Sequence, residues 1–316
     1  RMFRPRSLAV IGPSERPHSV DAAMQRTLTH GGFAGPVVPV NPRAAAVHGI
    51  LAYKDVAGLP IVPDLAIIAT PPDTIAPLID DLGRRGTRAA VILTAGFAEG
   101  EAKAGREREA QLLNAARPYL LRIVGPNCLG IAVPGIGLNA TFAPASVLPG
   151  NIAFLTQSGA MATTVLDWAL PRGIGFSAIV SMGDMSDVDF GDLLDYFALD
   201  DATKAILIYA EGITHARKFM SAARRAARIK PVIVVKGGRA EEGARAATSH
   251  TGALAGADVV YEAAFRRAGM LRVNEMEELF DAAATLARMA PTGGNRLAIV
   301  TNGGCAGVLA TDRLIE

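Results

Sequence analysis

Long apolar runs, paired cysteines and blocks of like charge are all missing from this 316-residue sequence. No stretch of eighteen apolar residues occurs, so no membrane-spanning helix is expected. Cys128 and Cys305 belong to no CxxC pair. That excludes a disulfide framework and predicts a cytoplasmic setting. Lysine plus arginine (32) nearly balances aspartate plus glutamate (30), and no basic stripe is interleaved with aromatics, so no nucleic-acid footprint is read. His18, His30, His48 and His215 are scattered without ligand spacing, so no metal site is predicted. The start, "RMFRPRSLAVIG", enters a strand pattern directly and lacks the apolar helix and cleavage site of a secretory signal.

What is present is alternation. Short β-rich runs such as "SLAVIG" (7–12), "DLAIIAT" (64–70) and "AAVILTAG" (89–96) are separated by longer amphipathic helical patterns. Continuous apolar strands joined by helices predict parallel sheets covered on both faces, an α/β protein. Residues 1–124 read as one such unit. Residues 125–150, crowded with proline and glycine, read as a linker. A second unit spans 151–290, and 291–316 read as the strand, turn and helix that open a third, truncated unit. Both ends read as cut from a longer polypeptide.

Candidate ligand residues fall where parallel strands end, the usual place for ligands in such sheets. After the first strand, Gly12-Pro13-Ser14-Glu15-Arg16-Pro17 lacks the second and third glycines of a dinucleotide fingerprint, which argues against an NAD(P) oxidoreductase. Ser14, Arg16 and Ser19 are either phosphate donors or parts of an ordinary turn. The loops "VNPR" (40–43), "ATPP" (69–72) and "TAGF" (94–97) share that edge. Gln157-Ser158-Gly159 leads into a helix; Ser158 is either part of a phosphate cradle or a plain N-cap. Glu211 closes the apolar strand "AILIYA", as a crevice carboxylate or a helix-start acid. His250 stands in "ATSHTGALAG", as a phosphate acceptor, a general base or a polar loop residue.

The ordered set "IGPS", "GPNCLG", "FLTQSGAMATTVLDWA", "SMGDMSDVDFGDLLDYF", "YAEGI" and "SHTGALAG" resembles the NDP-forming acyl-CoA synthetases: the alpha part of ADP-forming acetate–CoA ligase and the succinyl-CoA synthetase alpha subunit. The resemblance implies a Rossmann-like CoA-binding domain, then a flavodoxin-like succinyl-CoA synthetase-type domain. It implies CoA or acyl-CoA contacts at Ser14, Arg16, Pro17, Asn41, Pro42, Thr70, Pro71, Pro72, Thr94, Gly125, Pro126 and Asn127. His250 matches the phosphorylated histidine and Glu211 the glutamate that orients it. Gln157, Ser158, Gly159, Ser249, Thr251 and Gly252 match phosphate-binding positions. Phosphate is a substrate, and ADP or ATP with Mg is implied on an ATP-grasp partner subunit or domain within an oligomer. "FRPRSLAVIG", "GGFAGPVVPVNP" and "HTGALAGADVVYEAAFRRAGMLRV" are also similar to the ligase-like regulatory region of bacterial protein lysine acetyltransferases, where a GNAT domain is fused. Two departures stand in "PHSVD", where His18 and Asp21 replace family glycines; a carboxylate at 21 repels CoA phosphates.

Overall fold

Runs of consecutive apolar residues become the buried strands of two sheets. The computed structural model describes residues 1–13, 19–97, 102–240, 257–289, 294 and 296–315, without the side chains of residues 21, 29 and 102. The first unit holds β1 (Leu8–Ile11), β2 (Val37–Val40), β3 (Ala46–Val47), β4 (Ile50–Leu51), β5 (Leu65–Ile68), β6 (Ala89–Ile92) and β7 (Arg122–Val124). Its main sheet has the order β2-β1-β5-β6-β7, all parallel, and β3 and β4 form a separate antiparallel pair. Every residue of β1, β5 and β6 is buried, as a sheet with helices on both faces requires. Pro39, which cannot donate a ladder hydrogen bond, lies in the edge strand β2.

The helices of this unit are α1 (Val20–His30), α2 (Ile75–Arg85) and α3 (Ala102–Ala116). Along α2, Ile75, Ile79 and Leu82 recur at helical spacing and are buried. Gly83 meets the Tyr119 ring so closely that a Cβ there would come within 2.1 Å of Cδ2. Gly86, at φ 106°, ends the helix in the left-handed conformation.

The second unit holds β8 (Gly130–Val133), β9 (Leu138–Thr141), β10 (Pro149–Thr156), β11 (Phe176–Ser181), β12 (Ala205–Ala210), β13 (Val232–Lys236) and β14 (Leu271–Val273). Their order is β14-β13-β12-β10-β11-β8-β9, with β8 and β9 antiparallel to their neighbours. The helices are α4 (Gly159–Ala169), α5 (Phe190–Leu199), α6 (Ala216–Ile229), α7 (Asp258–Ala268), α8 (Met276–Arg288) and α9 (Gly304–Ile315). Counting only its five parallel strands, each sheet runs second, first, third, fourth, fifth. The order therefore reverses between β1 and β5 and again between β10 and β12, the two switch points where crevices open at the strand ends.

Two expectations change. The stretch 125–150 is not a free linker: β8 and β9 extend the second sheet, paired through Ile131↔Val180 and Ala132↔Ile179. The apolar run Gly130–Val133 is only four residues long and is flanked by turn formers, which hides it. Residues 297–300, expected as a strand, form none among the described residues, and Leu297 and Val300 are exposed. A strand without a neighbour has no ladder to join.

The two units share one apolar core, which runs from Val10 and Met24 through Ile131 and Leu138 to Leu155 and Val180. A polar seam borders it. The Arg122 guanidinium donates to Asp187 at 2.9 Å and to Asp192 at 3.1 Å, and Lys218 donates to Asp192 at 2.5 Å. Thr27 Oγ1 donates to the Thr141 carbonyl, and a Cβ at Gly31 would meet the Gly137 carbonyl at 2.5 Å, so α1 lies directly on β9.

Candidate functional site

At the β10/β12 switch point the chain leaves β10 through Thr156, whose Oγ1 accepts the Ser158 N–H at 3.0 Å. Ser158 takes an extended backbone, and its Oγ accepts from the Met161 N–H at 3.3 Å, capping α4. The hydroxyl is thus an N-cap. Among the described residues nothing accepts from the Gly159 and Ala160 amides of the first turn, so the positive end of α4 still presents donors.

Gln157 is buried, at 7% exposure. Its Oε1 accepts from the Glu211 N–H at 2.6 Å and the Gly212 N–H at 2.9 Å. The carboxamide of one loop therefore fixes the backbone of the other, 54 residues away, and sets Glu211 beside the start of α4. Burial and the charge of Glu211 together push the Tyr209 phenol up. The Tyr209 hydroxyl occupies the space a side chain at Gly237 would need, 2.7 Å from a Cβ built there. Lys236 is buried with its ammonium 4.7 Å from the centre of the Tyr261 ring, and burial pushes its pKa down.

The crossing between the units forms another wall. Asn127 has a left-handed backbone (φ 56°), donates its N–H to the Thr94 carbonyl at 2.9 Å, and donates Nδ2–H to Asp184 at 3.2 Å. Gly183 passes so close that a Cβ would lie 2.1 Å from the Pro126 carbonyl oxygen, and its φ of 54° suits glycine. The Asp184 N–H returns to that same carbonyl at 3.0 Å. Cys128 is no nucleophile here: burial pushes its thiol up to about 12, and it donates to the Ile92 carbonyl at 3.2 Å.

The remaining residues read from the sequence line the carboxyl edge of the first sheet. Asn41 donates to the Pro13 carbonyl at 2.7 Å and accepts from the Arg43 N–H at 2.8 Å, which shapes the turn through Pro42. Thr94 donates to the Thr70 carbonyl at 2.7 Å, and Pro71 and Pro72 lead from there into a short 3-10 turn ahead of α2. A Cβ at Gly12 would meet Thr70 Cγ2 at 2.6 Å, so the loops after β1 and β5 touch at the first switch point. Ser19 caps α1, accepting from the Ala22 N–H. Ser14, Arg16, Pro17 and His18, and the loop carrying Ser249, His250, Thr251 and Gly252, lie outside the described residues, as does the side chain of Asp21.

A cavity of about 150 Å³ joins these parts. Among the described residues, Gln157, Ser158, Gly159, Asn127, Asp184 and Glu211 give it a polar side. Leu93, Leu129 and Phe142 also line it. These three were not singled out in the sequence, because an isolated apolar residue carries no spacing signal of a site. Among the described residues no cluster of three or more His, Cys, Asp or Glu side chains is placed to hold a metal ion.

Two family descriptions match the chain: a CoA binding domain over residues 6–134 and a succinyl-CoA ligase-like flavodoxin domain over residues 149–286. The alpha subunit of the ADP-forming acetate–CoA ligase I of Pyrococcus furiosus is 42% identical over 320 aligned residues, spanning 100% of this chain and 69% of that protein. The ADP-forming acetate–CoA ligase I of Archaeoglobus fulgidus is 42% identical, over 99% of this chain and 45% of that longer protein. The solved structure of the dinucleotide-forming acetyl-coenzyme A synthetase 1 of Ca. Korarchaeum cryptofilum, in complex with phosphate and ADP, superimposes with a TM-score of 0.93 at 41% identity, over 100% of this chain and 68% of that one.

Proposed function

The chain belongs to the NDP-forming acyl-CoA synthetase family, that of the ADP-forming acetate–CoA ligases, and from that premise we propose that it is the CoA- and histidine-bearing part of an enzyme interconverting acyl-CoA, phosphate and ADP with free acid, CoA and ATP. CoA would lie across the carboxyl edge of the first sheet, along Asn41, Pro42, Thr70, Pro71, Pro72 and Thr94, with Ser14, Arg16 and Pro17 near its phosphates. Gly125, Pro126 and Asn127 then carry its thioester to the second switch point. That edge suits a ligand with a long thin tail, because Gly12 and Thr70 close the crevice floor to backbone contact.

Phosphate held at the α4 N-terminus attacks the thioester carbonyl carbon. The C–S bond breaks, CoA leaves as the thiol, and an acyl phosphate remains. The His250 imidazole attacks the phosphorus, the bond to the acyl oxygen breaks, and the free acid leaves. The phosphoryl group then passes from His250 to ADP. The Gly159 and Ala160 amides and the helix dipole hold the phosphate oxygens. Ser249, Thr251 and Gly252 supply further donors around the ring. Glu211 accepts the other ring N–H of His250 and fixes its tautomer. ADP with its Mg would be held by an ATP-grasp subunit or domain; the alpha-subunit name of the Pyrococcus relative supports a partner subunit.

One observation carries this reading: the Gln157 carboxamide bridges to the Glu211 and Gly212 amides and so brings an orienting carboxylate to the start of a capped helix. The experiment supplies acyl-CoA and radiolabelled phosphate and asks for label on the protein. Acid-labile, base-stable label on the wild type and none on His250→Ala is the expected result. An absence of label with every acyl-CoA tried overturns the reading.

A further inference from the structure

Two cations, Lys236 and Arg272, share one face of the second sheet. Arg272 pairs with Val234 in the parallel register of β13 and β14, so its side chain points to the same side as those of Val234 and Lys236. Lys236 is buried, and the Arg272 side chain is only 8% exposed. The Arg272 guanidinium forks onto both carboxylate oxygens of Asp258, at 2.7 and 2.8 Å, and donates to Glu262 at 3.0 Å. Its Nε–H is buried with no acceptor among the described residues. Such a cluster is a poor source of stability. The cost of desolvating charges offsets their attraction, an orphan donor adds to it, and well-packed apolar side chains would serve the fold as well.

The place of the cluster in the chain gives it a use. The backbone runs toward His250 from Lys236, the last residue of β13, whose ammonium donates to the Gly237 carbonyl and lies over the Tyr261 ring of α7. Arg239 follows and donates to Glu275, the N-cap of α8, at 3.1 Å. Beyond His250 the chain enters α7 at Asp258, its first residue. Both roots of the His250 stretch are therefore tied to one corner, made by α7, β14 and the start of α8. From this juxtaposition we infer that Arg272 is a positioning residue for His250: by gripping Asp258 it fixes the root that follows the imidazole and so sets where the ring meets the acyl phosphate. The inference rests on the reading of His250 as the phosphoryl acceptor. Attack needs the reacting atoms about 3–3.5 Å apart, and a misplacement of about 1 Å can cost a hundredfold in rate. The partners of Arg272 lie on α7, and none belongs to the α4 start that holds phosphate. The attack of phosphate on the thioester is thus independent of it. Arginine is needed rather than lysine, because only the planar fork meets both carboxylate oxygens.

The test uses the complete enzyme, this chain with its nucleotide-binding part, and separates the two steps in the absence of ADP. Arsenate in place of phosphate attacks acetyl- or propionyl-CoA to give CoA and an acyl arsenate, which water hydrolyses to the acid and arsenate. Arsenate-dependent CoA release therefore reports the first step alone. Radiolabelled acetyl or propionyl phosphate reports the second, as acid-labile label on His250. In Arg272→Met the rate of labelling falls about tenfold or more, while arsenate-dependent CoA release stays at the wild-type level. Arg272→Lys, which keeps the charge without the fork, labels at an intermediate rate. Asp258→Asn breaks the fork from the other side; it repeats the split and decides the matter if the Arg272→Met protein does not fold. Labelling at the wild-type rate in a folded variant overturns the inference. So does a parallel fall in both steps, which is what a merely structural role would give. A wild type that releases CoA with arsenate but takes no label removes instead the reading of His250, and one that does neither removes the reading of the site itself.

Discussion

Replacing Gln157 by alanine strips the Glu211 and Gly212 amides of their acceptor at the base of the site. Leaving buried donors unpaired costs about 1–3 kcal/mol, so Gln157→Ala is expected to lower the thermal midpoint and to slow phosphate-dependent CoA release. Gln157→Glu keeps the acceptor but buries a second carboxylate beside Glu211, so the phosphate KM is expected to rise and the thermal midpoint to fall at neutral pH and recover as the pH is lowered. Gly183→Ala is expected to be worse than either for folding, since its Cβ would strike the Pro126 and Asn127 carbonyls at 2.1 and 2.2 Å; circular dichroism melting checks it. At this scale the sequence was only partly legible. Gln157 and Glu211 were visible as residues at strand ends, but their contact joins loops 54 positions apart and follows from strand order alone. Gly183 was one glycine among 33, and Phe142 one phenylalanine among 11. Nothing local distinguishes a glycine pressed on a carbonyl or a ring lining a cavity.

The short element that begins at Ser158 offers a cleaner separation of stability from chemistry. Ser158→Ala removes the cap of α4 and is expected to cost about 1 kcal/mol. Ser158→Asp keeps a capping oxygen and favours the helix dipole, but places negative charge where phosphate binds. Melting curves should therefore rank aspartate near serine and above alanine. Phosphate-dependent turnover should instead place aspartate last. Most helices and parallel strands were readable because their signals are local: unbroken apolar runs for buried strands and apolar recurrence for helices such as α2. The elements that escaped are those whose stability is borrowed. β14 has three residues, β3 and β4 have two each, and β8 takes its place only because β11 lies beside it.

For the molecule as a whole, the seam between units is one pH-sensitive part. Burial pushes the Asp192 carboxyl up, but hydrogen bonds from Lys218 and from the Asp189 N–H, with the Arg122 charge, outweigh it and hold its pKa below the ordinary value. A lowered folded pKa stabilises above the unfolded value of about 3.9, and that stabilisation disappears as the pH falls through the folded value. The melting midpoint of Asp192→Asn should therefore lie below the wild type at pH 7 and converge on it below about pH 4. Thiol labelling tests the burial pattern across the two units: exposed Cys305 reacts with a thiol reagent at once, and Cys128 only on unfolding. The docking of α1 onto β9 bears on how the chain is made. Thr27 leaves the ribosome 114 residues before its partner Thr141. β9 then reaches the sheet only through β8, which waits for β11 and thus for Ser181. A nascent chain stopped short of that residue carries a finished first sheet with the α1 face open, which makes the interval between residues 141 and 181 the window in which a chaperone would find it.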